Sequence, residues 1–124
     1  MSAPSATRSI GLLVRALPYR QRSARAQLDV ALVAAALEQQ VRLYFLGAAV
    51  LQLQPERAPD AAKLPPGYKG WASLPELGEV NAFAEPGWLD RLSKFQGAPI
   101  LAVTPLTRQE MRTDWQACDR IVVL

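Results

Sequence analysis

Histidine is absent from this 124-residue chain, and cysteine occurs once, at Cys118. The first absence removes Ser/His/Asp triads, Cys/His pairs and histidine-based metal sites; the second removes internal disulfides and thiolate zinc cages. Long apolar runs are missing too. The longest strongly apolar stretch, Val30 to Leu37, is under half the roughly 20 residues a membrane span requires, and Glu38 ends it. Residues 1 to 28 hold no continuous apolar run of the secretory kind, so the expectation is a cytoplasmic chain without a cofactor. No glycine loop cradles a phosphate: Gly11 falls inside an apolar run, and the loop after it carries Pro and Arg. Asp29, Glu38, Glu79, Glu85 and Asp90 share no spacing that sets two carboxylates on one wall, so no acid/base pair is expected.

What is present fits one globular domain. Half of the residues are hydrophobic and 20% are charged, enough for one core and too few residues for two. Residues 1 to 7, all small or polar after Met1, read as a flexible tail, leaving 8 to 124 as the domain. The net charge is +3, unevenly placed: Arg8, Arg15, Arg20, Arg22 and Arg25 all precede the first carboxylate, Asp29. A solvated basic face is the plain reading of that cluster and a basic RNA-binding module the alternative, although no aromatic ladder accompanies the arginines.

Apolar runs alternate with helical stretches. Ser9 to Val14 reads as a strand, and Pro18 sits in the connection that follows, with Ser23 as N-cap of a helix from Ala24 to Gln40. Leu28, Leu32 and the pair Ala35 and Ala36 form one stripe of this helix, while Val30, Val33, Ala34 and Leu37 spread apolar character around it. A helix apolar nearly all round is covered on more than one side, here by its own sheet and by another subunit. Val41 to Leu46 reads as the second strand, then Gly47 to Leu53 as a short apolar helix or loop, and 54 to 70 as an irregular connection. Trp71 to Leu77 is expected as a helix broken by Pro75 and stopped by Gly78. Glu79 to Ala84 reads as a third strand, and Pro86 as the start of a helix. Ile100 to Thr104 is the fourth strand. Thr107 and Glu110 have capping-box spacing before a helix running to Cys118, and Arg120 to Leu124 is the fifth strand. Such alternation implies a three-layer α/β sandwich, its five-stranded, mostly parallel sheet carrying helices on both faces in a flavodoxin-like topology.

Cys118 is the one candidate nucleophile. A reactive thiol needs a helix N-terminus or a nearby cation, whereas Cys118 falls at a helix C-terminus beside Asp119. Strand alternation turns Arg120 away from it. Packing is therefore the expected role, with a sulfurtransferase acting through Cys118 as the alternative.

The chain resembles the DsrE/DsrF/TusC family of sulfur-relay proteins, and within it the TusC/DsrF type. The resemblance rests on LPYRQRSARAQLDVAL (Leu17 to Leu32), LYFLGAAVLQL (Leu43 to Leu53), LPELGEVNAF (Leu74 to Phe83) and CDRIVVL (Cys118 to Leu124). It implies a non-catalytic subunit of a cytoplasmic complex, supporting persulfide transfer for tRNA wobble 2-thiouridine synthesis or dissimilatory sulfur oxidation. The implied partners are TusD/DsrE-like and TusB/DsrH-like subunits, commonly in a heterohexamer, with a homo-oligomer when the chain is isolated. It further implies that the family's active cysteine would fall at about Ala82 and Phe83, where this chain has none, and no cofactor or metal is expected. Arg20, Ala48 and Ala49 depart from the family's glycine and Asp-Gly turn positions. The expected interface residues are Leu28, Leu32, Val33, Leu37, Val50, Leu51 and Leu53.

Overall fold

The computed structural model describes residues 9–15, 21–37, 40–54 and 70–124. The elements are β1 (Ser9–Val14), α1 (Gln21–Ala36), β2 (Gln40–Phe45), a 3-10 helix (Gly47–Leu53), α2 (Gly70–Leu77), β3 (Val80–Ala84), α3 (Pro86–Gln96), β4 (Val103–Pro105), α4 (Arg108–Trp115) and β5 (Arg120–Val123). Every pairing is parallel, and the strand order is β4-β3-β2-β1-β5. The α/β sandwich with a five-stranded parallel sheet is therefore as expected, but the topology is not the flavodoxin order 2-1-3-4-5. Strands β1 to β4 step steadily one way across the sheet, and only the last crossover returns to the far edge.

That path decides which face each helix covers. Right-handed crossovers stepping in one direction put their helices on one face; a crossover stepping back puts its helix on the other. So α1, the 3-10 helix, α2 and α3 pack together over Leu12, Val14, Val41, Leu43, Phe45, Ala82 and Ala84, whereas among the described residues α4, with Leu46, Leu106 and Cys118 beside it, covers Leu13, Tyr44 and Phe83. Strand alternation produces the split, since neighbours along each strand point to opposite faces. Trp71 of α2 meets the ring of Phe45 edge-on at 5.2 Å, which anchors the larger core.

Several boundaries move for physical reasons. Gln40 belongs to β2 because it pairs with Ser9, so α1 ends at Ala36; Ser23 lies inside the helix and is not its N-cap. The fourth strand begins at Val103 because Leu101 turns into the core and the Ile100 amide donates to the Leu53 carbonyl at 2.8 Å. Pro75 does not break α2: the helix runs through it to Leu77, held down by buried Trp71 and Leu74. The capping box forms as expected, Glu110 N donating to Thr107 Oγ1 at 3.1 Å and Thr107 N to Glu110 Oε1 at 2.8 Å. The expected irregular connection falls largely on 55–69, outside the described residues.

Two glycines are required by close approach. A Cβ on Gly78 would sit 2.7 Å from the backbone oxygen of Ala35, so this residue lets α1 and α2 touch. A Cβ on Gly11 would meet Ile121 Cδ1 at 2.7 Å and Cys118 Sγ at 3.2 Å, both side-chain atoms. Backbone yields less readily than a side-chain tip. Gly78→Ala should therefore lower stability by about 1–3 kcal/mol in urea denaturation, and by more than Gly11→Ala; the reverse order would refute this packing.

Candidate functional site

Polar side chains on the α4 face of the sheet converge on one carboxylate. Arg42 and Tyr44, two apart on β2, point the same way because strands alternate. The last turn of α4 brings Asp114 over them, and the turn after it brings Cys118. Tyr44 Oη donates to Asp114 Oδ2 at 2.5 Å. Arg42 Nε donates to the same oxygen at 2.9 Å and Arg42 Nη2 at 2.8 Å, while Nε also reaches Tyr44 Oη at 3.2 Å. Aromatic rings wall the group: Phe83 stacks on Tyr44 at 5.4 Å, Trp115 meets Tyr44 edge-on at 5.6 Å, and the Arg42 guanidinium lies 4.8 Å from the Phe83 centroid.

Cys118 Sγ lies 3.7 Å from Tyr44 Oη. A phenol has one proton, and that of Tyr44 goes to Asp114, so the thiol is the donor to Tyr44. Cys118 is half-buried and packed against Leu13, Tyr44, Phe83 and Met111. Burial, then the hydrogen bond to Asp114, pushes the Tyr44 pKa far above the ordinary tyrosine value, against the opposing pull of Arg42. The cluster is self-satisfied: it clamps α4 to the sheet. Of its members only Cys118 stands out in the sequence as a site residue. The available signal for the others was a charged residue and a tyrosine at alternate positions of an otherwise apolar parallel strand.

The C-terminal edge of the sheet, where α/β proteins bind ligands, is closed at β3. Ala82, Phe83 and Ala84 are buried, Ala82 in the larger core and Phe83 against Tyr44. Glu85 follows. Its Oε2 accepts from Gly47 N at 2.8 Å and from Arg108 Nη2 at 3.0 Å. Burial would raise the Glu85 pKa, but the Gly47 amide and the Arg108 guanidinium outweigh it and hold the carboxyl below its usual range. That contribution to stability is present above the ordinary carboxylate pKa and is lost as pH falls through the depressed one. Ala49 is fully buried in the core and Ala48 half-buried, while Arg20 lies outside the described residues.

The expected interface residues divide. Leu28, Val50 and Leu53 are buried in this chain's own core, which corrects their assignment: their apolar surface is already covered by the sheet, α2 and α3. Leu32 and Leu51 are half-buried against that core. Val33 and Leu37 are exposed at 58% and 65%, joined by Val30 at 39%. They border a cleft of about 530 Å³ between α1 and the start of β5, with Ile10, Asp119 and Arg120 on its other side. Of the early arginines, Arg15 is exposed, whereas Arg8 and Arg20 and the side chains of Arg22 and Arg25 lie outside the described residues. Among the described residues no cluster of three or more metal-ligating side chains occurs, and no helix is long and apolar enough to cross a membrane.

Comparison with known proteins returns a match to the model of the DsrE/DsrF-like family over residues 8–124. No curated protein matches. Among solved structures, the YchN protein from E. coli superposes with a TM-score of 0.72 at 15% identity, covering 94% of this chain and 99% of that one. At that identity the likeness is one of fold.

The clamp makes two measurable claims. Asp114→Ala should cost about 1–3 kcal/mol, because Arg42 and Tyr44 lose their shared acceptor. In alkaline spectrophotometric titration, Tyr44→Phe should reproduce the wild-type phenolate signal for as long as both stay folded. A variant lacking one tyrosine's share of the absorbance would mean that Tyr44 ionises normally. Since the raised pKa belongs to the folded state, its stabilisation is full below about pH 10 and is lost as pH rises beyond it.

Proposed function

The chain belongs to the DsrE/DsrF-like family, and from that premise we propose that it is a non-catalytic, TusC/DsrF-like subunit of a cytoplasmic sulfur-relay complex. In this reading it holds sulfur-carrying relatives of the TusD/DsrE and TusB/DsrH kinds in place and carries no persulfide itself. The outlet is thiolation of a tRNA wobble uridine or the oxidation of reduced sulfur.

One observation carries the reading. The end of β3, the place the resemblance assigns to an active cysteine, is buried hydrocarbon from Ala82 to Ala84, capped by the Glu85–Arg108 ion pair. Sulfur transfer needs a thiolate that a donor and an acceptor can both reach. Cys118 is half-buried on the turn after α4, beside the cluster of Leu13, Tyr44, Phe83 and Met111, and its thiol is hydrogen-bonded to Tyr44 Oη at 3.7 Å. The exposed apolar side chains of α1 and β5, Val33, Leu37, Ile121 and Val123, give a supporting subunit surfaces to dock with.

The test is persulfide mass spectrometry on the full chain after incubation with glutathione persulfide, alone and with candidate DsrE-like and DsrH-like chains. Cys118 should acquire no transferable sulfur, and Cys118→Ser should support relay by the reconstituted complex at the wild-type rate. Persulfide formed on Cys118 and passed to a partner would replace this reading with a Cys118 sulfurtransferase.

A further inference from the structure

Three of the six large aliphatic side chains exposed among the described residues, Val30, Val33 and Leu37, line a single cleft between α1 and the start of β5. Buried Ala34 and half-buried Ile10 close its floor. The cleft follows from the sheet order: α1 packs over β1 and β2, while β5 lies one strand further out, beyond the reach of the helix. Its volume of about 530 Å³ is that of a small-molecule site. Because Leu37 N donates to Val33 O at 3.0 Å, the helix continues to the last of the three side chains, which gives an apolar wall about 10 Å long. That is the length of a medium alkyl chain.

The polar groups at the rim select the charge of the occupant. Ser9 and Asp119 engage each other: Ser9 N donates to Asp119 Oδ2 at 2.9 Å, Ser9 Oγ to the same oxygen at 3.3 Å, and Asp119 N to Ser9 Oγ at 3.1 Å. Asp29 has an interaction of its own. Arg120 differs, since its side chain has neither an ion pair nor a hydrogen bond with any described residue. It stands in register with Ile10, whose side chain packs on the larger core, so the Arg120 side chain lies on the α1 face and borders the cleft. A guanidinium presents a planar fork of donors that matches a carboxylate. An aliphatic wall without an aromatic ring, facing one open cation, fits an alkyl chain with an anionic head.

We propose that the cleft between α1 and β5 binds a medium-chain alkyl carboxylate, its chain along Val30, Val33 and Leu37 and its head on Arg120. This goes beyond the relay reading and does not depend on it. The ligand leaves the apolar residues of β5 open to other subunits, because Ile121 lies beside Cys118 at Gly11, on the opposite face of the sheet, and Val123 shares that face by alternation.

Isothermal titration calorimetry of the full chain with decanoate, decanol and decylamine, all below their micellar concentrations, tests it. Decanoate should bind at one site with a dissociation constant of roughly 100 µM or below, and more tightly than either analogue. Arg120→Gln should weaken decanoate by roughly 10-fold and leave decanol unchanged. Val33→Asp, at an exposed position where the fold is not at stake, should weaken decanoate by roughly 10-fold or more, with an unchanged circular dichroism spectrum. Val123→Ser, on the other face, should leave the affinity as it is. A wild type that does not bind decanoate overturns the proposal, as does decylamine binding as tightly as decanoate. Undiminished affinity in Arg120→Gln or Val33→Asp, or an equal loss in Val123→Ser, also overturns it. Binding that occurs only after removal of residues 1 to 7 would assign the cleft to the chain's own N-terminus instead. Persulfide chemistry at Cys118 is read separately, so either proposal can fail alone.

Discussion

One carboxylate oxygen, Oδ2 of Asp114, holds the second face of the sheet shut. Three crossovers stepping one way place most helices on the same side, so among the described helices α4 is the one that covers the opposite side. That helix is only eight residues long and buries a single residue of its own, Met111. So small an apolar contact is a weak anchor for a helix this short. The donors from Arg42 and Tyr44 to Asp114 supply the rest, walled by Phe83 and Trp115. With α4 fixed, the turn after it delivers Cys118 to Tyr44 and then β5 to the edge of β1, where Asp119 accepts from Ser9 N at 2.9 Å.

The same constraint separates chemistry from scaffold. Parallel α/β sheets concentrate ligand sites at the carboxyl ends of their strands, where successive crossovers diverge to opposite faces. In this chain that divergence lies between β3 and β4, because α3 packs on one face and α4 on the other. Alanine, phenylalanine and an internal ion pair occupy the position. A family built for sulfur transfer has here a member whose switch point is filled and whose sole thiol is a hydrogen-bond donor inside a clamp. Apolar side chains are exposed at Val30, Val33 and Leu37 of α1 and at Ile121 and Val123 of β5.

Local signals in the sequence carried much of this fold. The Thr107 capping box, Pro86 at a helix start and the apolar run Ser9 to Val14 each encode their element within a few residues. The strand order was not legible, because alternation of strands and helices is the same whether crossovers step forward or back. Nor was the burial of Leu28, Val50 and Leu53: in a segment apolar on all sides, periodicity does not say which side meets the sheet. The β4 boundary slipped because Ile100 and Leu101 have strand character but are claimed by the end of the 3-10 helix and the core. The Arg42–Tyr44–Asp114 cluster joins residues 72 positions apart, and only the return crossover brings them together.

The central claim is that Cys118 is a packing thiol held by the clamp. The most direct measurement is the rate of Cys118 alkylation by iodoacetamide in the native chain, compared with the urea-unfolded chain and with Tyr44→Phe. Local opening must precede reaction if the account is right, so the native thiol should react at least about tenfold more slowly than the unfolded one. Loss of the Tyr44 hydroxyl should speed it. A native thiol that reacts as fast as the unfolded chain, or faster, would contradict the account and make Cys118 a working nucleophile.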